Sequence, residues 1–389
     1  MSVTAPQGFT AAGVRAGLKE SGQPDVAVVV NDGPQFHAAA VFTTNRVVGA
    51  PVILSRKHID DGQARAVVLN SGGANVCTGP RGLKDAQAMA EQTATNVGCD
   101  PTDVLVASTG LIGEFLPVTK VLAGIDDACQ QLAPTHEGAA AAAQAILTTD
   151  TVSKQALAHG TGYTVGGMAK GAGMLAPGMA TMLAVITTDA AVDSQTAQKA
   201  LAQAVRTTFN RVDSDGCMST SDTVILLASG ASTTQPDAEE FHDTLHQVCA
   251  ELSRALVADA EGASHDIAVT VTGAHSESAA DQVARAVARS NLFKTAIFGN
   301  DPNWGRILAQ VGTVPAEVAT FNPDEVDVTI NNVMVCRGGM AHQPRSLVDL
   351  AATREVDVTI NLNAGGYQAT IWTNDLTHDY VHENSAYST

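Results

Sequence analysis

The sequence lacks any apolar run of about 18 residues, the length that a membrane-spanning helix needs. Residues 1–17 also lack the apolar core of a secretory signal peptide. The cysteines lie far apart and form no CxxC pair, and this spacing favours neither a disulfide framework nor a metal cluster. We therefore expect a cytoplasmic protein with reduced cysteines and no association with a membrane.

Basic side chains are also scarce, because 22 Lys and Arg stand against 40 Asp and Glu, giving a net charge of −18. Binding to nucleic acid or to an anionic membrane needs clustered Lys and Arg, so we expect neither. Residues 181–389 carry a net charge of −15, and residues 1–180 carry −3. An acidic field of this kind suits a cationic small substrate, and it suits solubility equally well.

Common signatures of nucleotide binding and of serine hydrolases are missing, namely GxxxxGK[ST], GxGxxG after a strand, and GxSxG. Two HDxxH strings, His242–His246 and His378–His382, resemble a zinc motif but have Asp in place of its Glu. No third ligand follows either string at a usual spacing. We interpret both as surface histidines and expect neither a metal nor an organic cofactor.

Aromatic residues make up only 4% of the chain while apolar residues reach 45%, so Ala, Val, Leu and Ile must build the core. A length of 389 residues suits two domains. Apolar strand patterns alternate with longer helical patterns, which predicts a mixed, layered α/β sandwich of sheets and helices with two α/β subdomains. The predicted strands are 26–30, 51–54, 66–69, 104–107, 181–189, 223–228 and 267–272, and the predicted helices are 84–97, 118–132, 138–145, 197–209, 239–260 and 279–289.

The heptapeptide EVDVTIN occurs twice, at residues 325–331 and 355–361. Its alternation of polar and apolar residues predicts two similar strands, each with one buried face. A match this short does not indicate a duplicated domain.

The segment Val165–Thr181, VGGMAKGAGMLAPGMAT, is rich in glycine, and its one ionisable side chain is Lys170. A long turn between two strands is one interpretation. The other is self-cleavage, since a Thr hydroxyl can attack the preceding carbonyl when the backbone is held in an unfavourable twist, which glycine permits. A cut between Ala180 and Thr181 would expose an α-amine with a reference pKa of about 7.7–8.0, able to take the proton from the Thr181 hydroxyl.

Other motifs favour the second interpretation. AKGAGMLAPGMATML at 169–183 resembles the cleavage signature of the ornithine acetyltransferase (glutamate N-acetyltransferase) family of arginine biosynthesis. The resemblance extends over nearly the whole chain, in the family's order, through LNSGGAN at 69–75, STGLIG at 108–113, TTDT at 148–151, STSDT at 219–223, ADAEGA at 258–263, GNDPNWGR at 299–306 and ENSAY at 383–387.

This resemblance implies an enzyme that cuts itself into an α chain, residues 1–180, and a β chain, residues 181–389. The chains are expected to stay together as a heterotetramer of two α and two β chains. The implied reaction is ping-pong: Thr181 takes acetyl from N2-acetyl-L-ornithine, L-ornithine leaves, and L-glutamate accepts the acetyl group to give N-acetyl-L-glutamate. No cofactor is implied. Some members also use acetyl-CoA as a donor, and no motif decides this point.

The family's site residues map onto matching positions of this chain. Thr181 corresponds to the nucleophile, and Thr109 and Gly110, at the end of a predicted buried strand, correspond to the oxyanion hole. Lys170 corresponds to the carboxylate-binding Lys and Glu261 to the group that receives an amine. The remaining substrate contacts map onto Thr148 (or its neighbour Thr149), Thr181, Asn384 and Thr389, so the C-terminus is expected to fold into the site.

Three departures and two alternative functions stay open. The family often has Asn at Gly178, NDT at residues 221–223 and NAGNAN-like residues at 70–75, and the first of these departures bears on the rate of cleavage. An amidase or aminopeptidase-type hydrolase with an N-terminal Thr would give its acyl group to water. A binding protein without catalysis would keep its chain uncut.

Overall fold

The predicted alternation of strands and helices appears in the computed structural model, which describes residues 2–176 and 182–386. These residues divide into two units, the first comprising 2–176, 182–210 and 217–256 and the second 211–216 and 257–386. Each unit combines a sheet or sheets with helices, which confirms the predicted mixed α/β fold with two α/β subdomains. Residues from both sides of position 180 build the first unit.

Two sheets form the centre of the first unit. Its strands are, in chain order, β1 (Phe9–Val14), β2 (Val26–Asn31), β3 (His37–Phe42), β4 (Ala66–Ser71), β5 (Val104–Thr109), β6 (Lys154–Gly160), β7 (Tyr163–Lys170), β8 (Leu183–Thr188) and β9 (Thr223–Ala228). The first sheet has the order β1-β2-β4-β5 and the second the order β3-β9-β8-β7-β6. The pairs β4–β5 and β8–β9 are parallel. Several of these strands are buried along their whole length, which is why they appear in the sequence as continuous apolar runs.

Helices cover the outer faces of both sheets. The helices of this unit are α1 (Ala50–His58), α2 (Gly79–Val97), α3 (Val118–Gln130), α4 (His136–Ala145), α5 (Ser194–Thr207) and α6 (Ala238–Ala258). α4 is the exception, because its buried alanines belong to the core between the two sheets. One apolar core lies between the two sheets, with side chains such as Leu69 from the first and Leu227 from the second. A second core joins α2 and α3 to the first sheet, and a third joins α5 and α6 to the second sheet. The result is a four-layer arrangement, helices–sheet–sheet–helices.

The predicted cut lies between two neighbouring strands of one sheet. β7 and β8 pair antiparallel from Val165 opposite Thr188 to Lys170 opposite Leu183. The chain that connects them contains residues 177–181, so Ala180, Thr181 and Gly178 lie outside the described residues. Any cut in this connection would leave the strands on either side hydrogen-bonded to each other.

The second unit has one sheet of order β13-β12-β11-β14-β10-β15. Its strands are β10 (Asp266–Ala274), β11 (Asp327–Ile330), β12 (Val333–Arg337), β13 (Met340–Ala341), β14 (Glu355–Asn361) and β15 (Tyr367–Asn374), and its helices are α7 (Glu277–Ala288), α8 (Asn291–Phe298), α9 (Trp304–Val311) and α10 (His378–Ala386). Side chains from α7, α8 and α9 share one core with this sheet. The repeated EVDVTIN segments contribute β11 and β14, which pair with each other and bury alternate residues, as predicted.

The predicted strand at 51–54 is wrong, because these residues belong to α1. A short apolar run does not distinguish a strand from a buried helical turn. Pro51 stands in the first helical turn, where the missing N–H has no intrahelical partner to lose, and Arg56, Lys57 and His58 follow in the last turn.

Part of the glycine-rich segment is strand rather than turn. Residues 165–170 belong to β7 and are all buried. Gly166 is required there, since a Cβ at this position would lie 2.1 Å from the carbonyl oxygen of Ser2. The turn interpretation therefore applies at most to the residues that follow Lys170.

Candidate active site

The turn after β5 is held by the loop after β4. β4 and β5 are parallel, with Ser71 opposite Thr109, so both loops leave the same edge of the sheet. The Gly73 N–H donates to the Thr109 carbonyl over 3.0 Å. The Asn70 side chain accepts from the Ser108 hydroxyl at 2.6 Å and donates to the Gly73 carbonyl at 3.0 Å. These bonds fix the backbone at the predicted oxyanion hole.

Gly110 is confined to glycine by two independent constraints. Its φ of +125° lies in a region that side chains rarely adopt, and a Cβ would lie 2.5 Å from the Gly73 nitrogen. The Thr109–Gly110 turn therefore presents backbone at a position where any larger residue would displace the neighbouring loop.

Lys170, the last residue of β7, brings two of the other predicted site residues together. The side chain is buried, with 1% exposure. Its Nζ donates to Thr148 Oγ1 at 2.6 Å and to Thr109 Oγ1 at 3.4 Å. The sequence left Thr148 and Thr149 as alternatives, and Thr148 is the residue that makes this contact. A buried ammonium flanked by hydroxyls is suited to binding a carboxylate.

Asp150 and Lys154 were not recognised from the sequence, yet they support Lys170. Asp150 Oδ1 accepts from Lys154 Nζ and from the Gly171 N–H, each at 2.6 Å, and Asp150 Oδ2 lies 3.8 Å from Lys170 Nζ. Burial acts to raise the pKa of Asp150, but the charges of Lys170 and Lys154 and the Gly171 N–H outweigh it and lower the pKa to about 2. Asp150 is therefore ionised at neutral pH. The position of Asp150 in the TTDT motif is the sequence feature that could have indicated its importance.

Lys19 adds a further amine to this region. Burial, with a smaller effect from the charge of Lys170, lowers the pKa of Lys19 to about 8, although the charges of Asp25 and Asp150 oppose the change. Its Nζ donates to the Pro24 carbonyl at 2.7 Å. The Asp25 carboxylate accepts from the backbone N–H groups of residues 16, 18 and 19, which orders the loop that carries this amine.

Two other predicted site residues meet in the second unit. Asn384, on α10, donates from Nδ2 to Glu261 Oε2 at 2.9 Å. Gly262 has a φ of +61°, and a Cβ there would lie 2.2 Å from the Tyr380 nitrogen, so the turn that carries Glu261 packs closely against the start of α10. Thr389 lies outside the described residues.

Glu261 also lines a cavity of about 420 Å³ within the second unit. Charges of both signs surround it. Burial lowers the pKa of Lys294, and the carboxylates of Asp215, Asp213 and Asp375 oppose this change. Lys294 Nζ donates to the Ser214 carbonyl. The cavity is lined by Ser214, Asp215, Gly216, Glu261, Arg289, Asn291, Lys294, Asp375, Leu376, Tyr380 and Val381.

The histidines of the two HDxxH strings lie on helices. The rings of His242 and His246 are 5.8 Å apart between centroids, and His246 Nε2 lies 3.1 Å from the Thr207 hydroxyl. Over residues 2–176 and 182–386, no group of three or more His, Cys, Asp or Glu side chains is arranged to hold a metal ion. In the same residues, no helix combines the length and apolar character that crossing a membrane requires.

Comparison with known proteins gives consistent matches. A model of the ArgJ family matches residues 10–389. The arginine biosynthesis bifunctional protein ArgJ of Thermobifida fusca is 58% identical over 389 residues, and the alignment covers 100% of both chains. The protein of the same description from Bifidobacterium longum is 55% identical over 390 residues, again with 100% of both chains covered.

A solved structure of ornithine acetyltransferase from Mycobacterium tuberculosis, in complex with ornithine, is also similar. Its sequence is 48% identical to this one, with 47% of this chain and 96% of that chain covered, and the TM-score is 0.45.

Proposed function

The chain belongs to the ArgJ family, and from this we propose that it transfers acetyl from N2-acetyl-L-ornithine to L-glutamate through an acetyl ester on Thr181. It is an acyltransferase of arginine biosynthesis. The observation that supports the proposed chemistry best is the meeting of Thr109, Thr148 and Lys170 at the end of β7, the strand that leads to the predicted cut.

The reaction proceeds in two half-reactions. Thr181 Oγ attacks the acetyl carbonyl of acetylornithine while the Thr181 α-amine takes the hydroxyl proton. The Thr109–Gly110 turn stabilises the oxyanion of the tetrahedral intermediate, an effect of about 3–4 kcal/mol per donor in other acyl-transfer enzymes. The C–N bond breaks, and the proton passes to the departing ornithine amine. The α-amine of glutamate then attacks the ester and regenerates the Thr181 hydroxyl.

Substrate binding is assigned to two sets of side chains. Lys170 pairs with the substrate's α-carboxylate, and Thr148 donates or accepts a hydrogen bond beside it. Glu261 receives an amine, and Asn384 makes a further contact with the substrate. Thr181 and Thr389 complete the set. Asp150 and Lys154 hold Lys170 in place and are not expected to touch the substrate.

Self-cleavage produces the nucleophile. Thr181 Oγ attacks the Ala180 carbonyl, the peptide C–N bond breaks to leave an ester, and water hydrolyses that ester to give an α chain ending at Ala180 and a β chain beginning at Thr181. The antiparallel pairing of β7 with β8 supports the expectation that the two chains stay together.

A denaturing gel with N-terminal sequencing tests the cut. We expect two fragments, the second beginning Thr-Met-Leu, and one intact, inactive chain for Thr181→Ala. Thr161→Ala changes an exposed turn residue in the same way and should cleave normally. Cleavage that survives Thr181→Ala would overturn the assignment of the nucleophile.

An assay with acetylornithine and glutamate tests the transfer. Acetylglutamate should accumulate in step with ornithine. A hydrolase with an N-terminal Thr would instead release acetate without acetylglutamate, and that outcome would refute the proposed function.

Acetyl-CoA is proposed as a second donor, because the similar proteins are described as bifunctional. Glutamate acetylation with acetyl-CoA alone should be measurable and should stop in Thr181→Ala. We also propose a cytoplasmic heterotetramer of two α and two β chains, which light scattering would report as about twice the 39.9 kDa mass of the uncut chain.

A further inference from the structure

Asp222 is a fully buried acid for which the proposed reaction has no role. It belongs to the STSDT motif and immediately precedes β9. Its backbone is fixed on both sides, since its carbonyl accepts from the Thr43 N–H at 2.9 Å and the Thr223 N–H donates to the Met182 carbonyl at 3.2 Å. Burying a carboxyl group costs free energy unless hydrogen bonds or ion pairs compensate for its lost hydration, so its presence here needs an explanation.

The side chain of Asp222 holds the residue that follows the predicted nucleophile. Its Oδ1 accepts from the Met182 N–H at 3.0 Å. Met182 is itself buried, with 1% exposure. Met182 directly follows Thr181 in the sequence, so this hydrogen bond anchors the residue next to the predicted nucleophile.

The second oxygen, Oδ2, is buried and accepts no hydrogen bond from a residue that the structure describes. Burial raises the pKa of Asp222 well above its ordinary value, while the Met182 N–H, the Ser219 hydroxyl and the charge of Lys170 lower it only in part. Buried polar atoms nearly always have a partner, so a buried acceptor of this kind points to a group that binds there.

We propose that Asp222 is a positioning residue for Thr181, with Oδ1 holding the Met182 amide and Oδ2 accepting a hydrogen bond from the α-amine that cleavage exposes. The inference rests on the proposed function, because that amine exists only if the chain is cut before Thr181. Successive nitrogens of one chain are separated only by a Cα and a carbonyl carbon, so one carboxyl group can bind both.

This contact explains how the amine can act as a base. An amine that donates an N–H to Oδ2 has its rotation about the N–Cα bond restricted, and its lone pair remains available for the Thr181 hydroxyl proton. Asp222 forms and breaks no covalent bond in either half-reaction. Its effect is on the orientation of the base and on the pH at which that base is neutral.

Asp222→Asn tests the two oxygens separately. The amide keeps an acceptor for the Met182 N–H and places an NH₂ donor where Oδ2 was. We expect cleavage to give the same Thr-Met-Leu terminus, kcat for transfer to fall about 100-fold, and KM for acetylornithine to change by less than about 2-fold. The acid limb of the kcat–pH profile should move to lower pH, because the amine loses a partner that favours its protonated form.

Two further variants separate positioning from folding. Asp222→Ala removes both acceptors and should slow cleavage as well as transfer. Asp222→Glu restores a carboxyl group and should recover part of the lost kcat. Asp85→Asn is the matched control: it makes the same change at another buried carboxyl whose Oδ2 accepts no hydrogen bond from the described residues, and kcat should stay at the wild-type value.

The outcomes distinguish the two proposals. If the wild-type chain neither cuts itself nor transfers acetyl, the proposed function fails. If the wild type does both and Asp222→Asn matches its kcat and pH profile, only the role of Asp222 is refuted. Equal loss of kcat in Asp222→Asn, Asp222→Glu and Asp85→Asn would also refute it, since a general loss of folding would then explain all three.

Discussion

At the scale of single residues, the ion cluster around Asp150 combines two buried lysines with one buried carboxylate. Removing one partner of a buried ion pair is far costlier than the pair is worth, because a charge is left without compensation. Asp150 therefore ties the substrate-binding role proposed for Lys170 to the stability of the first unit. Its contacts also restrict the Lys170 side chain before any substrate arrives.

Asp150→Asn should lower the free energy of unfolding by about 3 kcal/mol at pH 7. The pKa of Asp150 is depressed in the folded chain to about 2, so its contribution is complete above the ordinary value of 3.8 and is lost as the pH falls toward 2. Urea unfolding at several pH values should show the difference from wild type narrowing over that range. Asp60→Asn, at an exposed position, should change little at any pH.

Lys170→Met keeps the length of the side chain and removes its charge. KM for acetylornithine should rise at least about 10-fold, since a charge-assisted bond to the substrate carboxylate is lost. Steady-state kinetics with a matched Lys57→Met variant, at an exposed position on α1, provide the comparison. An unchanged KM in Lys170→Met would count against the carboxylate-binding role.

At the scale of elements, the Thr109–Gly110 turn is shaped by the loop that packs beneath it. Gly110→Ala should reduce kcat about 100-fold, because the added Cβ would overlap the Gly73 nitrogen and displace the turn. Gly113→Ala is the control. Gly113 also has a positive φ, +90°, but a Cβ there would meet no atom within 4 Å, so this variant carries the backbone strain without the overlap. Similar kcat values for both would show that strain alone is responsible.

Elements whose local sequence favours a single type of secondary structure could be predicted from the sequence. β9 and β5 are runs of apolar residues buried on both faces, and the predicted helix at 197–209 overlaps α5. The run at 51–54 could not be assigned in this way, because only its packing decides between strand and helix. The family resemblance is confirmed over the whole chain, while the roles of individual site residues stay predictions.

The site residues also divide into those that a local motif indicates and those whose role depends on the folded structure. Thr109, Lys170 and Thr148 could be proposed because they stand in recognisable motifs, and the structure brings these three together. Asp150 and Asp222 stand in similar motifs, yet their importance depends on burial and on partners distant in sequence. No local pattern distinguishes a buried, bonded aspartate from one that faces solvent.

At the scale of the molecule, the two units are not consecutive segments. Residues 211–216 belong to the second unit although residues on both sides belong to the first. A division of this kind arises from contacts between distant segments, such as the parallel bridge of Val212 with Trp372. It could not be predicted from the amino-acid composition along the chain.

The pairing of β7 with β8 has a consequence for how the enzyme refolds. In an uncut chain the sheet closes within one molecule, so refolding should be independent of concentration. Once the chain is cut, the same ladder joins two separate polypeptides, and recovery from denaturant becomes a bimolecular reaction whose yield and midpoint rise with protein concentration. The uncut Thr181→Ala chain should refold with the same yield at any dilution. The refolding yield of the cut enzyme should fall on dilution, because its two chains must first find each other.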